Sequence, residues 1–150
     1  MAGTFTCLNY HLVFSTKDRR PFIDAALQPR LYEYFGGTIR NEGGVLYQIG
    51  GLPDHVHVLA RLRPVQAVSD FLRDLKSHSS GWVTDSFETH RTFQWQEGFG
   101  AFSVSKSDLS RVSDSIVRQE EHHARRDFKS EFLQLLQAHE VEYDPRHIWT

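Results

Sequence analysis

Apolar and polar positions alternate along the first ordered-looking stretch of the chain. In residues 5–14, FTCLNYHLVF, the side chains of Leu8, Tyr10, Leu12 and Phe14 fall on one side of an extended strand. The polar loop STKDRRP follows, and then the period changes. Leu31, Tyr34, Phe35 and Ile39 recur at helical spacing, with Pro29 suited to the first turn and Gly43 or Gly44 to the end. Residues 45–49, VLYQI, and 55–62, HVHVLARL, predict two further strands joined as a hairpin by GGLPD. Ser69 predicts the cap of a helix running through about Ser80, with Phe71, Leu72 and Leu75 inward. Residues 87–100 read as loop and AFSVS, 101–105, as a fourth strand. Ser107 predicts the cap of a helix with the apolar stripe Leu109, Val112 and Ile116. A last helix, about 128–139, carries Phe128, Phe132, Leu135 and Leu136.

The order β-α-β-β-α-β followed by two helices predicts an α+β fold. Its form is the ferredoxin-like (RRM-like) βαββαβ antiparallel sheet with additional C-terminal helices. A sheet of that kind covers one face with helices and leaves the other free. The 150 residues show no internal repeat and no linker-like run, which predicts one domain over 1–150.

Composition narrows the class. Hydrophobic content of 39% and charged content of 24% suit a globular core rather than a disordered chain. A single cysteine, Cys7, excludes an internal disulfide, and no apolar run reaches the length of a membrane span. The expectation is a cytoplasmic protein without membrane contact. A formal net charge of −2 argues against a general nucleic-acid binder. Basic residues do cluster locally, at Lys17, Arg19 and Arg20, at Arg61 and Arg63, at Arg73 and Lys76, and at Arg125 and Arg126.

The third strand changes the picture. Alternation puts Val56, Val58, Ala60 and Leu62 on one face and His55, His57, Leu59 and Arg61 on the other. The two imidazoles stand roughly 7 Å apart at Cα, close enough to converge on one ion. Two imidazoles alone make a weak metal site, so a third ligand is needed. The helix from 107 to about 123 offers several. Gln119 lies four residues after Ser115 on one helix face, and His122 extends that face, with Glu120 and His123 at other angles. Spacing leaves Gln119, Glu120 and His122 all open.

Taken together, several segments resemble one family. They are YHLVFSTKDRRPFI (10–23), GGLPDHVHVL (50–59), DLKSHSSGW (74–82), WQEGFGAFSVS (95–105), RQEEHH (118–123) and VEYDPRHIW (141–149). Their order and spacing resemble the single-tyrosine HUH transposases of small IS200-like insertion sequences, with which REP-associated tyrosine transposases are grouped. HUH denotes His, a bulky apolar residue, His, here His55-Val56-His57. The resemblance implies a ferredoxin-like domain whose C-terminal helices, about 107–139, complete the site. It implies a Mg- or Mn-type divalent ion held by His55, His57 and Gln119. It further implies single-stranded DNA with a hairpin as partner, and a homodimer with sites shared between subunits. The implied activity is DNA strand cleavage and joining in DNA transposition through a covalent 5′-phosphotyrosine. Lys17, Arg19, Arg20, Arg61, Arg63 and Lys76 are candidate DNA contacts, and Arg61 has its own reason, since it shares the histidine face. Trp95 and Phe99 are candidates for base stacking, with burial beside the sheet as the plainer account.

One position departs from the family pattern. The nucleophilic tyrosine of such enzymes stands four residues before the metal-binding glutamine, and here that residue is Ser115. No tyrosine occurs between Tyr47 and Tyr143. A serine oxygen falls roughly 4 Å short of a phenol oxygen, judged from bond lengths, and a misplacement of about 1 Å can cost 100-fold. An aliphatic alcohol is also a poorer nucleophile and leaving group than a phenol. The expectation is therefore a transposase-family protein with impaired covalent chemistry. Two alternatives remain open. One is a non-catalytic, domesticated DNA-binding protein, and the other a metal-dependent single-strand nuclease in which water acts in place of the tyrosine.

Overall fold

The computed structural model describes residues 3–119 and 127–149. Among these, four strands and four helices follow one another in the order β1 (Asn9–Ser15), α1 (Gln28–Asn41), β2 (Val45–Leu52), β3 (His55–Arg61), α2 (Val68–Ser86), β4 (Gly100–Val104), α3 (Leu109–Val117) and α4 (Phe128–Ala138). The strands form one antiparallel sheet in the order β2-β3-β1-β4. That is the ferredoxin-like arrangement expected from the element order, with β1 and β3 central. Cross-strand register sets Ser15 opposite His55 and Val13 opposite His57.

Alternation assigns the two faces. Leu12 and Phe14 of β1 and Val56, Val58 and Ala60 of β3 pack against Leu31, Phe35 and Ile39 of α1 and Phe71, Leu72 and Leu75 of α2. Truncating one of these fully buried side chains to alanine costs about 2–5 kcal/mol. The opposite face is covered rather than free. There α4 packs Phe128 and Leu136 on Val13 and Phe102, and α3 packs Ile116 on Leu59 and Val104. The two C-terminal helices provide that cover and bury their apolar stripes against the sheet.

Several boundaries differ from expectation. β1 starts at Asn9, and Phe5 is 92% exposed. Ser69 lies inside α2, which begins after Ala67 with no side-chain cap, and the helix continues six residues beyond Ser80. The polar run SHSSG conceals this continuation, because buried Ser79 and Val83 prolong the inward stripe of Leu72 and Leu75. Ser79 tolerates burial by accepting a hydrogen bond from Trp95 Nε1 at 2.9 Å. Ser107 does not cap α3; it belongs to a 3-10 turn, Lys106–Asp108, and its hydroxyl lies 3.1 Å from that of Ser105. The capped helix is α4, where the Asp127 carboxylate accepts from Ser130 N at 2.9 Å. α1 ends as predicted, with Gly43 at a positive φ of 79°.

Candidate metal centre

His55 and His57 lie on the face of β3 that α3 and α4 cover, and they are 0% and 1% exposed. A buried imidazole needs partners for both ring nitrogens. For His55, Nδ1 lies 2.6 Å from Asp54 Oδ1 and Nε2 lies 3.2 Å from Gln119 Oε1. For His57, Nδ1 lies 2.8 Å from His11 Nε2 and Nε2 lies 2.7 Å from Glu131 Oε1. The Phe128 ring packs 4.5 Å from the His55 ring and closes one side. One ligand atom from each of His55, His57 and Glu131 falls within 4.8 Å of the others, and all three residues are buried.

The electrostatics fit a centre that expects a cation. Glu131 is 7% exposed with Oε1 2.7 Å from His57 Nε2, and a buried carboxylate in such a place is balanced by a positive charge, either an imidazolium or a bound cation. Burial, reinforced by the neighbouring His57, holds the His11 imidazole down at about 3 against the opposing pull of Glu131. His11 is therefore neutral across the ordinary pH range.

α3 brings the remaining residues over the histidines. Its close approach depends on Gly50 of β2, where a Cβ would meet Ile116 O at 2.7 Å and Ile116 Cγ2 at 2.8 Å. Gln119 lies two residues past the end of α3 and is buried, and its Nε2 donates to Ser115 O at 3.4 Å. Ser115 itself lines a cavity of about 340 Å³ together with His11, His57, Gln119 and Glu131. Of the three third-ligand candidates, Gln119 is at the histidines, while Glu120 and His122 lie outside the described residues, as do His123, Arg125 and Arg126.

The candidate DNA contacts divide into two groups. Lys17, Arg19 and Arg20 follow directly from Ser15, which pairs with His55. Lys17 and Lys76 line one cleft with Trp95 and Gln96, and Arg19 lines another with Ser15 and Phe128. The Lys76 ammonium donates to the carbonyls of Gln96 at 2.6 Å and Gly98 at 2.7 Å, and burial pulls it down to about 8 despite Glu97. Arg61 and Arg63 lie towards the other end of β3, roughly 13 Å along the strand from His57 in the case of Arg61. Arg63 Nε donates to Glu42 O at 2.7 Å, at the end of α1. Trp95 is a core residue, edge-on to Phe14, while Phe99 is 41% exposed.

Three site residues were not picked out by sequence reasoning. Asp54 stands in the quoted motif itself. His11 falls on the β1 face opposite Leu12 and Phe14, so alternation carried the signal once β1 and β3 were known to pair. Glu131 interrupts the apolar stripe of α4, between Phe128 and Leu135, and a carboxylate on a buried helix face was the available signal.

A family model described as Transposase IS200 like matches residues 4–119. The chain belongs to the IS200-like transposase family. Within that family's proteins, the ISDra2 transposase TnpA of Deinococcus radiodurans is 30% identical over 73 residues, which are 49% of this chain and 52% of that protein. The chain thus spans about half the length of the curated relative it matches. The fold is similar to a crystal structure of a transposase candidate from Deinococcus radiodurans R1, with a TM-score of 0.64 and 22% identity over 79% of this chain and 95% of that one. It is also similar to a REP-associated tyrosine transposase bound to a REP hairpin, with a TM-score of 0.61 and 16% identity over 82% of this chain and 74% of that one. These two likenesses show the fold. The family match ends at Gln119, so Glu131 and the rest of α4 of this IS200-like protein lie beyond it.

Proposed function

We propose that residues 1–150 act as one transposase-like domain that binds hairpin-bearing single-stranded DNA in the cytoplasm. On this reading it holds a Mg- or Mn-type ion between His55, His57, Gln119 and Glu131, for strand cleavage and joining in DNA transposition. The observation that carries the reading is the convergence of His55, His57 and Glu131 ligand atoms within 4.8 Å of one another, beside the Gln119 carbonyl oxygen. Imidazole nitrogens with a carboxylate and an amide oxygen suit Mn and, with more oxygen from substrate, Mg. Such an ion supplies positive charge that polarises a phosphate oxygen and stabilises the charge developing in an in-line displacement. The chain's own part is positional: Asp54 orients His55, α3 delivers Gln119, and Lys17, Arg19, Arg20 and Lys76 steer the DNA backbone towards the histidine end of the sheet. Arg61 and Arg63 serve a more distant length of the same backbone. Hairpin binding is supported by the fold likeness to a REP-associated transposase bound to a REP hairpin.

Ser115 stands at the nucleophile position, on the wall of the cavity that also contains His57 and Glu131. Its short side chain leaves the covalent step impaired. A homodimer with shared sites belongs to the same reading. Because one chain already brings Gln119 to 3.2 Å from its own His55, sharing would require the α3 segment to exchange between subunits. The cavity of about 340 Å³ beside Ser115 also favours a second reading, in which water enters where a phenol would lie and the product is a hydrolysed strand.

The test is a Ser115→Tyr variant incubated with hairpin single-stranded DNA from the element's own end and Mn²⁺. The proposal expects a covalent protein–DNA adduct in the variant, at least about 100-fold above the wild-type protein. It also expects that adduct to be lost on adding His57→Ala. Tight hairpin binding without any adduct in Ser115→Tyr contradicts the view that Ser115 is the sole defect. Metal-dependent nicking by the wild-type chain with no adduct selects the hydrolytic reading.

A further inference from the structure

Beside the ion site proposed above stands a buried histidine that the site itself does not use. His11 sits in the central strand β1, on the same sheet face as His57, and is 8% exposed. Register places it opposite Leu59, two residues along β3 from His57. Such diagonal neighbours stand roughly 7–8 Å apart, within reach only of long or aromatic side chains. The two imidazoles do reach: His11 Nε2 lies 2.8 Å from His57 Nδ1, with ring centroids 5.0 Å apart. On its other side the His11 ring meets Phe102 edge-on, with centroids 6.3 Å apart.

We infer that His11 is a positioning residue, which fixes the tautomer and ring orientation of His57 so that Nε2 faces Glu131. The inference rests on the reading that His55, His57, Gln119 and Glu131 hold an ion. A neutral imidazole carries one hydrogen, and the partner at one nitrogen decides which nitrogen keeps a lone pair. For His57 to present its Nε2 lone pair to a cation, Nδ1 must carry the hydrogen and donate it, and His11 Nε2 is the acceptor at hydrogen-bond distance. His55 is served in the same way by Asp54, whose Oδ1 lies 2.6 Å from its Nδ1. The two histidines thus have different orienting partners, one a carboxylate and one an imidazole. An imidazole orients without adding a second buried negative charge beside Glu131. A purely space-filling residue between Phe102 and Leu59 would be apolar, because leucine fills such a place without the cost of burying two ring nitrogens.

The test compares His11→Leu with His11→Gln in the full chain, using Mn²⁺ alone as the probe and reading its binding by electron paramagnetic resonance. Glutamine sets an acceptor oxygen close to where Nε2 stood, and leucine removes it. The His11→Leu protein should bind Mn²⁺ about 10- to 100-fold more weakly than wild type, and His11→Gln should retain most of the affinity. Unchanged affinity in His11→Leu overturns the inference. So does an equal loss in both variants when circular dichroism shows both folded, since that marks a packing role. Long-range ¹H–¹⁵N imidazole spectra of the ion-free protein supply an independent readout. They should show a single His57 tautomer with its hydrogen on Nδ1 in wild type and His11→Gln, the hydrogen between Nε2 and Glu131 being carried by the carboxyl, and a mixture in His11→Leu. A mixture in wild type, or a single tautomer with the hydrogen on Nε2, also overturns the inference. If wild type takes up no Mn²⁺, the ion reading fails, and these spectra still decide the role of His11.

Discussion

The Nε2 atom of His57 lies 2.7 Å from Oε1 of Glu131, a contact that ties the central strand β3 to the last helix, α4. The pair joins a residue of the family-matched region to one beyond it. Removing the carboxylate should weaken ion binding directly. With Mn²⁺ at about 100 times its dissociation constant, the wild-type chain should gain about 2.7 kcal/mol, a rise in melting temperature of about 5–10 °C. Glu131→Gln should lose most of that rise in a thermal-shift titration. A full rise in the variant would remove Glu131 from the site.

Gly50 provides a second, purely steric test. A Cβ there would meet the Ile116 backbone oxygen and side chain, so α3 must move away from β2. Overpacking of this kind costs about 1–3 kcal/mol, measurable as a lower denaturant midpoint for Gly50→Ala. The same shift withdraws Gln119 from His55, and Mn²⁺ affinity should fall along with stability. Loss of stability with unaltered affinity would separate Gln119 from the ion.

Lys76 gives the DNA interaction a signature in pH. Its ammonium is drawn down to about 8 by burial, so it loses charge as pH rises through that value, while exposed lysines and arginines keep theirs. Hairpin affinity, measured by fluorescence anisotropy at fixed salt, should fall between pH 7 and 9 in the wild-type protein. In Lys76→Arg it should stay level. Stability moves the other way. Between about pH 8 and 10.5 the unfolded chain still holds the proton that the folded chain has released, so this lysine's linkage makes folding more favourable as pH rises. Equal pH profiles for the two proteins would exclude Lys76 as a contact.

The fold was legible because the two central strands, β1 and β3, alternate and each helix carries one apolar stripe. Leu12, Phe14, Val56 and Val58 announce one face of the sheet before any pairing is known. What periodicity could not convey was that the second face is also buried. His55 and His57 read equally well as exposed polar residues until α3 and α4 are laid over them. The site was half legible for the same reason. His55 and His57 form a local motif in sequence, whereas spacing left Gln119 level with Glu120 and His122 and only the family resemblance singled it out. His11 and Glu131 reach the same point only through strand pairing and helix docking, across 46 residues in the case of His11. Helix caps failed where a serine resembled a cap, at Ser69 and Ser107, because the backbone starts those helices without side-chain help.

The most direct test of the central claim is a crystal of the full chain soaked in Mn²⁺ and measured for anomalous scattering. The account predicts one strong peak bounded by His55 Nε2, His57 Nε2, the Glu131 carboxylate and Gln119 Oε1. No peak there, or a peak that leaves His57 and Glu131 in direct contact with each other and unbound, would contradict it.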